Sequence, residues 1–89
     1  MRARRRVVID EYVEDGRAAV YTTPGMVVLL SELATSAWGI LGEDWVETTE
    51  ITTHLVAEFG DPGDGTAGRV TEEALHSLAA MSLVELDEG

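Results

Sequence analysis

The sequence predicts a single α+β domain of the winged helix-turn-helix-like type, in which a three-stranded antiparallel sheet is followed by three helices. Three observations support this prediction. The length of 89 residues fits one domain and leaves no room for a second. Residues 7–30 are rich in β-branched and apolar residues, and residues 31–81 carry apolar residues at helical spacing. Turn-forming residues separate these segments.

Three short strands are predicted in the first third of the chain. The first covers residues 7–13 and is followed by the Asp-Gly pair at 15–16, which favours a tight hairpin turn. The second covers 18–22, and the Thr-Pro-Gly sequence at 23–25 predicts the next turn. The third, 26–30, is apolar on both faces, so it is either covered by protein on both sides or offers one face to a partner.

Two helices are predicted next. The first begins after Ser31, a good N-cap, and ends at Gly42. The second is capped by Thr48 or Thr49 and ends at Gly60.

The third helix follows a glycine-rich loop at residues 60–68. It opens at Arg69 or Val70, with Thr71 as its cap, and its apolar stripe predicts a buried face. A short extended segment, 83–86, follows it.

Charge is distributed unevenly along the chain. Seventeen acidic residues stand against six arginines and no lysine, which gives a formal net charge of -11. Five of the arginines lie in the first 17 residues. Because an acidic body repels phosphate backbones and anionic lipids, we expect neither nucleic acid nor membrane as a partner. Such a body would favour peptides or enzymes with basic patches.

The chain is divided here into a basic N-terminal arm at residues 1–6, a domain at residues 7–86 and a C-terminal tail at residues 87–89. The arm holds the arginine cluster, and we expect it to be mobile at the entry to the first strand. No segment is long and apolar enough for a signal-peptide core or a membrane span. We therefore expect a cytoplasmic protein.

No arrangement of side chains indicates catalysis. The chain has no cysteine, which excludes disulfides, thiolate zinc sites and cysteine nucleophiles. His54 and His76 have no metal-ligating partner at helical spacing. Glu72 and Glu73 are neighbours that point to different sides of a helix, so they do not form an acid–base pair. We expect no enzymatic activity, no metal and no cofactor.

An ordered set of residues across about residues 7–86 resembles the PqqD-like family. The set comprises a glycine before the third strand, a Trp-centred first helix, and characteristic residues in the second and third helices. The matching residues are Gly25, Ser31, Ala34, Trp38, Ile40, Leu41, Glu50, Ile51, Leu55, Ala57, Glu58, Phe59, Ala74, Leu75, Leu78, Leu83 and Val84. Ser82 stands where the family usually has glycine.

The resemblance implies a free-standing precursor-peptide recognition element. Such a protein binds the leader segment of a ribosomally synthesised precursor peptide and presents it to modifying enzymes. Discrete chains of this size often serve lasso-peptide pathways, so a leader peptidase or another peptide-modifying enzyme is the expected partner. An exchange of strands between two copies would give a homodimer, which the apolar third strand allows.

In this family the leader adds as an extra strand beside the third strand and packs against the third helix. The resemblance therefore implies leader-binding residues on both of these elements. They are Met26, Val27, Val28, Leu29, Leu30, Glu73, His76, Ser77 and Ala80.

Three other functions remain open. A PqqD-like partner of a radical-SAM peptide-modifying enzyme would show the same features. A winged-helix DNA-binding regulator fits the helix order, but residues 70–81 contain no Lys or Arg to contact phosphates and bases. An interaction subunit of the structural or toxin–antitoxin type would share the acidic, helical composition.

Overall fold

The computed structural model describes residues 1–22 and 25–88. This part of the chain forms six strands and three helices. The strands are β1 (Arg2–Arg5), β2 (Asp10–Glu14), β3 (Arg17–Thr22), β4 (Met26–Leu29), β5 (Val46–Glu47) and β6 (Val84–Asp87). The helices are α1 (Glu32–Ile40), α2 (Thr48–Phe59) and α3 (Ala67–Ala80).

The strands form two antiparallel sheets of three strands each. The first sheet has the order β5-β1-β6 and the second has the order β2-β3-β4. The predicted α+β class, with three helices after a three-stranded antiparallel sheet, is confirmed. The first sheet was not predicted, because its strands come from distant parts of the sequence and only tertiary pairing brings them together.

Residues 2–5 are not a mobile arm, because they form the central strand of the first sheet. Ala3 points into the core and is fully buried. Arg2 and Arg4 point to the other face, where they pair with Asp87 at 2.7 Å and with Glu85 at 3.0 Å. The alternation of a small apolar residue with arginines therefore gives a half-buried strand.

The C-terminal tail is also shorter than predicted. Asp87 belongs to β6 and is paired in register with Arg2. The expected extended segment before it is therefore a sheet strand. Glu88 follows the strand, and Gly89 lies outside the described residues.

The second sheet follows the sequence prediction more closely. Asp15 and Gly16 both have positive φ, at 54° and 76°, as the tight hairpin between β2 and β3 requires. β2 begins at Asp10, so residues 7–9 precede the strand instead of forming part of it. Of the predicted turn at 23–25, Thr23 and Pro24 lie outside the described residues.

The first two helices begin close to their predicted positions. The Ser31 hydroxyl caps α1 by accepting a hydrogen bond from the Ala34 amide at 3.1 Å. This helix ends at Ile40, short of the predicted Gly42. α2 begins at Thr48, which is its first helical residue and not its cap. It ends before Gly60, as predicted.

The third helix begins at Ala67, earlier than predicted. Thr71 does not cap it but is buried within it. The Thr71 hydroxyl donates to the Ala67 carbonyl at 3.0 Å and accepts from the Thr52 hydroxyl at 2.9 Å. This polar link joins α3 to α2 without leaving a buried hydroxyl unpaired.

The core lies between the helices and the inner faces of both sheets. Trp38 is its largest fully buried side chain and is 2 % exposed. The core cluster consists of Ala3, Ala18, Val20, Leu30, Ala37, Trp38, Leu41, Ile51, Leu55, Leu75, Leu78, Leu83 and Val84. No helix found in the described ranges is long and apolar enough to cross a membrane.

Ser82 adopts a left-handed backbone conformation with φ of 61° at the end of α3. This conformation costs an L-residue about 1 kcal/mol relative to glycine. We expect Ser82→Gly to raise the free energy of unfolding by about 0.5–1 kcal/mol, after the greater backbone entropy of unfolded glycine is taken into account. Urea unfolding with an unchanged m-value is the measurement.

The same substitution at the exposed helical residue Ser77 provides the matched control. There φ is already helical, so Ser77→Gly should lower the free energy of unfolding by roughly 0.5 kcal/mol. A Ser82→Gly protein less stable than the parent would show that the left-handed conformation carries no strain.

Candidate functional site

A groove of about 900 Å³ opens between the edge of the second sheet and the C-terminal end of α3. It combines an apolar wall from β4 and α3 with charged residues from the first sheet and the connecting segments. The groove is lined by Arg4, Arg5, Arg6, Val7, Thr22, Met26, Val28, Glu43, Ala80, Met81, Ser82 and Glu85. Its size is in the range of sites that hold small molecules or several peptide side chains.

β4 forms one rim of this groove and is an edge strand of its sheet. The Leu30 amide donates to the Ala18 carbonyl at 2.9 Å, which makes those two residues a hydrogen-bonded pair. Hydrogen-bonded and non-bonded pairs alternate along an antiparallel ladder, so Val28 also bonds to β3. The amides and carbonyls of Val27 and Leu29 therefore point away from the sheet, towards the open edge.

The other edge strands carry charged residues or are short. β2 has the sequence DEYVE and β6 has the sequence VELD, whereas β5 contains two residues. β4 has the sequence MVVL and no charge. Charged side chains on an edge discourage pairing with another chain. Among the edges that the structure describes, β4 is thus the one without such protection.

The predicted site residues on β4 are divided between two faces and the core. Met26 and Val28 line the groove. Val27 and Leu29 lie on the opposite face and are 49 % and 68 % exposed. Leu30 is 1 % exposed and belongs to the core, so it is not accessible to a peptide side chain. Of the two alternatives that the sequence leaves open for this strand, the exposed Val27 and Leu29 favour the one in which a face is uncovered.

The predicted site residues on α3 are likewise separated. Ala80 lines the groove. Glu73, His76 and Ser77 are exposed on α3 but are not part of the groove lining. The His76 Nε2 atom is 3.2 Å from a carboxylate oxygen of Glu88. The structure therefore brings together Met26, Val28 and Ala80 from the predicted set.

The arginines of the groove were missed by sequence reasoning, which placed them in an arm. Arg4 pairs with Glu85 and lies 4.4 Å from the centroid of the Trp45 ring, on which Arg2 also stacks. Trp45 is therefore part of the outer surface of the first sheet. The alternation of arginines around Ala3 was the signal for a strand.

Arg5 joins the two sheets through a polar junction with Glu11 and Trp38. Its Nη1 atom donates to both carboxylate oxygens of Glu11 at 3.0 Å, and its guanidinium lies 4.0 Å from the centroid of the Trp38 ring. The Trp38 Nε1 atom donates to the same carboxylate at 2.7 Å. One carboxylate thus connects β1, β2 and α1. Because β1 and β4 both line the groove, this junction fixes its shape.

The outer face of the second sheet carries a small apolar patch, formed by Tyr12, Tyr21, Val27 and Leu29. The two tyrosine rings have centroids 5.9 Å apart. A hydrogen bond with Tyr12 is the largest cause that raises the pKa of Tyr21 above its ordinary value. The Tyr21 phenol therefore stays uncharged at neutral pH, and this face presents apolar surface beside the free edge.

Further polar groups and a second cavity lie outside the groove. The described residues include no group of three or more side chains that could hold a metal ion. In the glycine-rich loop, the Thr66 hydroxyl donates to Asp64 at 2.5 Å and lowers the pKa of that carboxyl. A smaller cavity of about 270 Å³ lies between the helices and has a mostly apolar lining that includes Leu33, Val56 and Phe59.

Comparisons with protein-family models, with curated proteins and with solved structures returned no match to this chain.

The junction at Glu11 can be tested by substitution. Glu11→Ala leaves the indole N–H of Trp38 and the guanidinium of Arg5 without their shared acceptor. We expect the free energy of unfolding to fall by about 2 kcal/mol, as measured by urea unfolding. Glu11→Gln is the matched control, since its amide oxygen still accepts from Trp38; it should cost less than half as much. Equal effects of the two changes would contradict the role of the shared hydrogen bonds.

Proposed function

We propose that this protein is a peptide-recognition module that binds an extended peptide segment as a fourth strand beside β4. The observation that carries the proposal is the uncharged, unpaired edge of β4 bordering a groove of about 900 Å³. An added strand would use the outward amides and carbonyls of Val27 and Leu29. Main-chain hydrogen bonds of this kind give affinity that depends little on peptide sequence.

The groove would supply the sequence preference. Side chains alternate across a strand, so every second residue of the added strand would face the groove beside Met26 and Val28. Ala80 and Met81, at the end of α3, border the same space. The small side chain of Ala80 leaves room for an aromatic or cyclic side chain of the peptide. The intervening residues of the peptide would lie over the outer face of the sheet, beside Val27 and Leu29.

The peptide class that we propose is the leader segment of a ribosomally synthesised precursor, as the PqqD-like resemblance implies. In this proposal the protein has no catalytic role and works in the cytoplasm. It holds the leader and presents the precursor to a leader peptidase of a lasso-peptide pathway or to another modifying enzyme, such as a radical-SAM enzyme. The position of the edge strand next to the third helix supports this assignment, because that is where the family binds leaders.

The DNA-binding alternative gains little support from the helices. α3 begins early enough to include Arg69, but it also carries Glu72 and Glu73. A helix that enters the major groove needs several donors to phosphates and bases. A single arginine beside two carboxylates does not meet this requirement.

Val27→Pro is the sharpest test of strand addition. Proline at this position removes an outward amide and places its ring at the free edge, while the ladder to β3 through Val28 is retained. We expect at least a tenfold weaker affinity. The probes are fluorescein-labelled peptides that span the N-terminal halves of the short reading frames beside this gene, and the readout is fluorescence anisotropy.

Val27→Thr is the matched control, because it keeps the amide and the β-branched shape. It should bind within about twofold of the parent. Circular dichroism and urea unfolding should show that both variants fold. If the parent binds none of these peptides, or if Val27→Pro binds as tightly as Val27→Thr, the proposal is wrong. A protein that is a stable dimer through β4, and becomes monomeric on Val27→Pro, would also count against it.

A further inference from the structure

We propose that the groove selects peptides with an acidic side chain, and that Arg6 is the residue that binds it. The inference rests on the proposed function, since it concerns a peptide lying beside β4. It adds a charge requirement to that site and assigns it to one residue.

The charged residues that line the groove differ in whether they already have an ion-pair partner. Arg4 is paired with Glu85 at 3.0 Å, and Arg5 is paired with Glu11 and stacked on a tryptophan. Arg6 also lines the groove and is exposed. Its backbone amide donates to the Leu83 carbonyl at 2.9 Å, which fixes the position of the residue. Its guanidinium has no hydrogen bond or ion pair with any residue in the ranges 1–22 and 25–88.

The groove is also basic compared with the rest of the molecule. Three of the six arginines of the chain line it, together with two glutamates, whereas the whole chain has a net charge of -11. Arg4 is already paired with Glu85, and Arg5 is paired with Glu11, so the attraction for a further carboxylate would come from Arg6. An acidic peptide side chain would therefore be attracted here and repelled by most of the remaining surface. This differs from the general preference for basic partners that composition alone suggests.

Arg6 is suited to hold a carboxylate. Its guanidinium presents several donors in a plane, which can bind both oxygens of a carboxylate. The side chains of Met26 and Val28 lie in the same groove. A strand beside β4 that directs alternate side chains into the groove could thus bring one acidic residue to Arg6 while apolar residues contact the β4 wall.

Among the described residues that line the groove, Glu43 is the second charged residue without a partner, and its charge has the opposite sign. It is exposed and lines the same space. Its presence restricts where an acidic residue is favourable, because a carboxylate near Glu43 would be repelled. We therefore expect selection for acid at one position of the bound segment rather than along its whole length.

Selection from a random library tests this inference and does not require the natural peptide to be identified first. The full chain is immobilised and used to select phage-displayed random 12-residue peptides. We expect the selected sequences to be enriched in Asp or Glu at one position relative to a pair of apolar residues. Selection on Arg6→Glu should replace this preference with Lys or Arg at the same position.

Two variants act as controls. Arg69→Glu reverses an exposed arginine on α3 that does not line the groove, so it changes net charge equally and should leave the acidic preference intact. Glu43→Gln removes the other free charge of the groove and should also retain the preference. The best acidic peptide and its Glu→Gln or Asp→Asn form are then titrated against the parent and against Arg6→Gln. We expect the parent to bind the amide form of the peptide about fivefold more weakly than the acidic form. For Arg6→Gln the difference in affinity should be less than twofold.

The outcomes separate this inference from the proposed function. Peptides that bind and lose affinity on Val27→Pro, but show no acidic preference, would overturn the role of Arg6 and leave strand addition standing. An acidic preference that disappears equally with Arg69→Glu would also overturn it, since the effect would then be one of overall charge. If no peptide is selected at all, both proposals fail.

Discussion

The arrangement of the two sheets and the first helix depends on the carboxylate of Glu11, which accepts hydrogen bonds from two side chains. Glu11 accepts from the guanidinium of Arg5 and from the indole of Trp38, and the guanidinium also stacks on the indole ring. The three residues come from the first sheet, the second sheet and the first helix. Apolar contacts are non-directional, whereas these hydrogen bonds require a defined geometry. The hydrogen bonds specify how β1 stands relative to the second sheet.

That arrangement has a direct consequence for the surface. β1 brings its arginines to one side of the groove, and β4 brings an uncharged open edge to the other. A chain of this size cannot cover every apolar surface with its own residues. Part of the uncovered apolar surface, formed by Val7, Met26, Val27 and Leu29, lies along one edge and its groove. An exposed edge of this kind favours aggregation unless a partner uses it, which is why we attribute a binding function to it.

Local patterns predicted much of this fold from the sequence. The Asp15-Gly16 hairpin, the cap at Ser31 and the end of α2 at Gly60 depend on neighbouring residues, and each was predicted correctly. The pairing of β1 with β6 joins the two ends of the sequence, and no local pattern signals it. This is why the arginines of the groove were assigned to an arm. The site residues on β4 and Ala80 were named from the resemblance, but the charged side of the groove required the tertiary structure.

The central claim is that a peptide pairs with the free edge of β4, and amide hydrogen exchange of single residues tests it most directly. In the free protein the amides of Val27 and Leu29 face the open edge, whereas that of Val28 is bonded to β3. On addition of a selected peptide, we expect exchange to slow at Val27 and Leu29, with little change at Val28. A peptide that binds without slowing exchange at Val27 and Leu29 would contradict strand addition at this edge.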